Sequence, residues 1–93
     1  MFKYTPALLK KLEEIFREGG YTVRYEKGNF QNGYCLLEKR RVVVINRFHE
    51  IESKISSLMD ILAHSVELDL QNLDNEQMEL YRKIKADRVE TLL

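Results

Sequence analysis

One cysteine, one proline and no tryptophan leave this 93-residue chain few of the residues that staple, break or anchor small folds. Cys35 alone can neither close an intramolecular disulfide nor complete an all-cysteine metal knuckle, which suits a reducing compartment. With Pro6 the single proline and only four glycines, little of the chain is built for loops. Long apolar runs are missing as well. The longest uninterrupted aliphatic stretch, VVVI at 42–45, is far shorter than the ~20 residues that span a bilayer. Charged residues interrupt the opening MFKYTPALLKKLEE, so it contains no secretory h-region. A cytoplasmic protein without membrane contact is the expectation. A phosphate cradle is absent too, because neither Gly28 nor Gly33 leads into a Lys-Ser/Thr pair or a helix start.

What is present is the composition of a folded, charge-rich domain, 44% apolar and 32% charged. A chain of this length forms one domain, residues 1–93, with a single modest core. Its fifteen basic and fifteen acidic residues cancel overall but are unevenly placed. Residues 1–48 carry ten Lys/Arg against five Asp/Glu, and residues 49–93 carry five against ten. This asymmetry permits complementary packing between halves or between subunits, and it offers a basic face to an anionic partner.

Hydrophobic periodicity orders the elements. Thr5-Pro6 is a helix start, and Leu8, Leu9, Leu12, Ile15 and Phe16 form one stripe that Gly19-Gly20 ends. From Tyr21 the period changes to two, with Tyr21, Val23 and Tyr25 alternating against Thr22, Arg24 and Glu26. KGNFQNG supplies turn signals, Tyr34 to Leu37 resumes a strand, and EKRR at 38–41 connects it to VVVIN, whose continuous apolar character suits a strand that is central or covered on both faces. Helical spacing returns over 50–66 with Ile51, Ile55, Leu58, Met59, Leu62 and Val66 on about a quarter turn of arc. A last helix, capped by Asn72 or Asp74, carries the looser stripe Met78, Tyr81, Ile84, Val89 and Leu92, interrupted by Lys85 and Arg88, which suits peripheral docking or partner contact. The expected fold is α+β: a helix, a three-stranded antiparallel meander, then two helices packed on one sheet face.

The stretch nearest to a chemical motif is Asp60-Ile61-Leu62-Ala63-His64. A zinc peptidase needs two histidines four apart on one helix face, with a glutamate beside the first acting as general base. Here Asp60 stands for the first histidine and Ile61 for the glutamate, so hydrolysis is not supported. Helical geometry turns Asp60, His64 and Glu67 about 130–170° from the apolar stripe, toward solvent or another chain. The order GYCLLEKRRVVVIN, short gap, LMDILAH nevertheless resembles the core of ImmA/IrrE-type metallopeptidases over residues 33–65. Of that family's ligands only His64 has a counterpart, so the resemblance implies a relic module without catalysis, metal or cofactor. The block VRYEKGNFQNGYCLLEKRRVVVIN also resembles short uncharacterised proteins of Bacteroidetes-type bacteria, which implies a bacterial cytosolic origin.

Other constellations favour surfaces over chemistry. Cys35, inside a strand, reads as a small hydrophobe and His49 as a polar residue ahead of a helix. Phe30 sits among turn residues, where it either folds back over the end of the sheet or projects as an aromatic contact. Lys39, Arg40 and Arg41, with Arg24 and Arg47 on neighbouring strands, are the candidate nucleic-acid contact. The alternation that exposes Arg24 buries Tyr21 and Tyr25, however, so cations and stacking rings would not share a face. A non-enzymatic interaction or regulatory module is the leading expectation, with Phe30, Lys39, Arg40, Arg41 and His64 as contact candidates. A homodimer through the second long helix, the final helix or a sheet edge is expected, and an unidentified protein partner fits the same surfaces.

Overall fold

Thr5 opens the first element because its hydroxyl accepts the Leu8 N–H at 3.2 Å while Pro6 lacks the N–H that would go unpaired. Helix α1 (Pro6–Glu18) then buries Leu8, Leu12, Ile15 and Phe16 on the expected stripe. It ends at Gly19, and Gly20 follows at φ 96°, a left-handed conformation that only glycine adopts freely. The computed structural model describes residues 2–27 and 34–90, with backbone alone at 34, 35, 89 and 90. The expected turn contact Phe30 lies outside the described residues.

Three strands follow, β1 (Thr22–Glu26), β2 (Tyr34–Leu37) and β3 (Val42–Asn46), at the positions the periodicity predicts. Their arrangement differs from the expected antiparallel meander. The sheet is mixed, in the order β1-β3-β2, with β1 parallel to β3 from Thr22↔Val42 to Glu26↔Asn46. Only β2 is antiparallel to β3, from Tyr34↔Ile45 to Leu37↔Val42. The physical reason lies in side-chain character. Val43, Val44 and Ile45 are all buried, and a strand this apolar gains most from neighbours on both edges. On β1, by contrast, Arg24 and Glu26 pair at 2.9 Å on partly exposed side chains, a charged pattern suited to an edge. Turn signals in KGNFQNG were compatible with either pairing, and Glu26 and Tyr34 stand on opposite sides of β3.

Between β2 and β3 the chain makes a short 3-10 turn (Glu38–Arg40) and reverses at Arg41, the one non-glycine residue with positive φ among the described residues. Val43 and Ile45 join the core cluster, with Val23, Tyr25 and Leu36 packed against it, so alternate residues of the sheet meet the helices.

Helix α2 (Ile51–His64) is shorter than the expected 50–66, and Val66 packs on the core from beyond its end. Its buried arc is wider than the sequence suggests. Ile55, Leu58, Met59, Ile61 and Leu62 are fully buried and Ala63 nearly so, which at 100° per residue spans roughly 200°. The width arises because α2 contacts α1, β3 and α3. Helix α3 (Asn75–Glu90) starts with a reciprocal cap: Asp74 accepts the Gln77 N–H at 2.7 Å, and the Gln77 side chain accepts the Asp74 N–H at 3.0 Å. Asn72, the alternative cap, lies in a preceding 3-10 turn (Leu70–Asn72). Among the described residues no helix is long and apolar enough to cross a membrane.

Candidate functional site

The DILAH stretch ends α2, and its polar residues do not converge. His64 is exposed at the last helical position. Asp60 stays half exposed while its carboxylate accepts from the Arg88 guanidinium of α3 at 2.9 Å. That guanidinium, only 15% exposed, also donates to the Tyr4 hydroxyl at 2.9 Å and contacts the Met59 sulfur at 3.6 Å. Arg88, which interrupts the apolar stripe in the sequence, therefore ties α3 to α2 and to the residues before α1. Ile61, at the place of the peptidase glutamate, is fully buried, and Glu67 lies past the helix end. Among the described residues no three His, Cys, Asp or Glu side chains group as metal ligands.

The basic residues are also dispersed. Lys39 and Arg40 are exposed beside the β2–β3 connection. Arg41 turns inward instead. Its guanidinium donates to the carbonyls of Gly19 (3.3 Å) and Glu67 (3.2 Å), lies 3.6 Å from the Asp69 carboxylate, and stacks 4.9 Å from the Tyr21 ring centroid. Arg24 is paired on β1, and Arg47 follows the far end of β3, about 20 Å from Arg41 at the rise of an extended chain. A continuous cationic stripe does not form from these five. Cys35 stands opposite Val44 in the β2–β3 register, and His49 is half-buried just before α2.

Among the described residues one titratable group is clearly displaced. Burial first, then the hydrogen bond to Glu13 and that carboxylate's charge, push the Tyr25 phenol above its ordinary value of 10.0. The Tyr25 hydroxyl donates to Glu13 of α1, and the Lys54 ammonium of α2 lies 5.2 Å from the ring centroid. This half-buried cluster joins three elements, α1, β1 and α2.

A groove of about 1020 Å³ lies between α1 and α3. Phe2 and Leu80, both half-buried, give it apolar surface over the buried Leu8 and Ile15, with the exposed Ala7 and Ala86 on its two helices. Around them stand Glu14, Asp74, Glu76, Glu79 and Asp87 against Lys3, Lys11 and Lys83, an excess of two negative charges. Lys83 pairs with Glu79 at 3.2 Å. No His, Cys or Ser lines the groove. Its size is that of a pocket holding a drug-sized ligand or several side chains.

Sequence reasoning missed this groove and missed Phe48, which is 65% exposed in the turn between β3 and α2. The signals were present. Phe48 stands between Arg47 and His49, past the last residue whose face β3 determines, and the weak apolar stripe of α3 could not cover the whole of α1. No protein-family model, no curated protein and no solved structure matches this chain.

Proposed function

We propose that this chain is a non-enzymatic interaction module of the cytoplasm, with the α1–α3 groove as its docking surface. The observation carrying this reading is the groove itself: a concavity with an apolar floor and a mixed charged rim, lined by no His, Cys or Ser. The hairpin-then-helix order β2-β3-α2 is compatible with a relic of the peptidase core, put to a binding use.

Photo-crosslinking in the cells that make the protein tests the reading. A photoreactive residue at Ala7 or Ala86, both exposed and lining the groove, is expected to give discrete crosslinked products. The same residue at Gln71 or Ser65, exposed and away from the groove, is expected to give none. Equal yields at all four positions would remove the groove from consideration.

A second reading, nucleic-acid binding at the β2–β3 connection, is favoured only by the exposure of Lys39 and Arg40. It calls for salt-sensitive binding that the double variant Lys39→Ala/Arg40→Ala abolishes with Arg41 left in place. Changing Arg41 as well would confound lost contacts with lost packing.

A further inference from the structure

We propose that the groove is occupied by a second copy of this chain, inserting its Arg47–Phe48 turn head to tail. This inference rests on the groove being a docking surface and names its occupant.

Phe48 and Leu37 are the large hydrophobic residues left exposed among those described, at 65% and 39%, and Phe48 projects from a turn. The turn is held at both ends. Arg47 N–H donates to the Glu26 carbonyl at 3.2 Å, Phe48 N–H to the Asn46 side-chain oxygen at 3.0 Å, and His49 N–H to the Asn46 carbonyl at 3.2 Å. A ring presented on an ordered backbone loses little further freedom on binding. The Arg47 guanidinium lies 5.0 Å from the Phe48 ring centroid, so the projecting unit is both aromatic and cationic.

The groove has the complementary chemistry, with apolar residues below and two more carboxylates than ammonium groups around them. No residue of the 46–50 turn lines it, so projection and groove are separate places on one chain. Two copies inserting into each other close a twofold dimer, and one-way insertion closes a larger ring or continues as a chain of subunits. The aromatic-cationic unit comes from the basic half of the sequence, and four of the five groove carboxylates come from the acidic half.

Sedimentation velocity of the full chain over a range of concentrations tests the inference. Wild-type protein is expected to gain mass with concentration. Phe48→Ser removes the projection at an exposed position. Ala86→Lys blocks the groove at an exposed helical position. Each, with folding checked by circular dichroism, is expected to weaken association at least about tenfold. An equimolar mixture of the two variants should form a one-to-one heterodimer and nothing larger, since one intact turn and one intact groove remain. A wild-type chain that stays monomeric at millimolar concentration overturns the inference. So does association that survives both substitutions, or a mixture that forms no heterodimer. If the wild type is monomeric while crosslinks from Ala7 and Ala86 reach a different protein, the inference fails and the docking reading stands; if neither is seen, both fail.

Discussion

At Arg41 the backbone sits at φ 54° and the side chain bridges the end of α1, the Tyr21 ring and the loop carrying Glu67 and Asp69. The left-handed backbone costs a non-glycine residue about 1 kcal/mol or more, which the guanidinium contacts offset. Arg41→Ala keeps that cost and loses the contacts, so we expect a loss of about 2 kcal/mol in urea unfolding. Arg41→Gly relieves the backbone and should be about 1 kcal/mol less damaging than alanine. If alanine and glycine prove equal, the backbone argument is wrong. Tyr25 gives a pH signature. Its folded-state value is raised, so the fold holds a proton that the unfolded chain releases nearer to 10.0. The corresponding stability is complete below that pH and is lost as pH rises toward the higher folded value. Between about pH 9 and about pH 11, wild-type stability should therefore fall more steeply than that of Tyr25→Phe. Parallel curves for the two proteins would refute this assignment.

Among the elements, α1 was fully legible in the sequence because its cap, stripe and glycine stop are local signals. Helix α3 depends more on its ends. With Ile84 its one fully buried residue among those described, it relies on the Asp74–Gln77 cap and the Arg88 anchor. Asp74→Ala is expected to cost about 1 kcal/mol and to speed amide exchange in the first turn of α3 while leaving α1 protected. Helix α2 shows how a motif can be unreachable on packing grounds. Asp60→His with Ile61→Glu would restore the letters of a zinc-peptidase helix, yet Ile61 is fully buried and Asp60 holds Arg88. A carboxylate at 61 should cost several kcal/mol. The total available to a 93-residue domain is roughly 5–14 kcal/mol. The double variant should thus appear in calorimetry as largely destabilised protein rather than as a peptidase. A cooperative transition near the wild-type temperature would contradict that.

For the whole molecule, the charge asymmetry between halves is partly satisfied within one chain, where the half-exposed Arg41 of the first half meets Asp69 of the second. What stays on the surface includes the acid-rich groove and the Arg47–Phe48 projection. Because the attraction between them acts across solvent-exposed charges, head-to-tail association should weaken as salt is raised from 0.05 M toward about 0.5 M, where the screening length falls to roughly 4 Å. An association constant that rises with salt would point to an apolar contact elsewhere, such as the exposed Leu37 region of the sheet.

The amino-acid sequence by itself determined the order and kind of the helices and strands and the inward stripe of α1, because each follows from near-neighbour spacing, capping groups and turn residues. Only the tertiary structure decided that β1 runs parallel to β3, that Arg41 and Arg88 turn inward while Lys39 and Arg40 stay out, and that α1 and α3 leave a groove between them. Strand order and the direction of a long cationic side chain depend on which distant carbonyls, carboxylates and rings the fold brings within reach. Those partners stand as far as 84 residues away, between Arg88 and Tyr4, beyond any local periodicity.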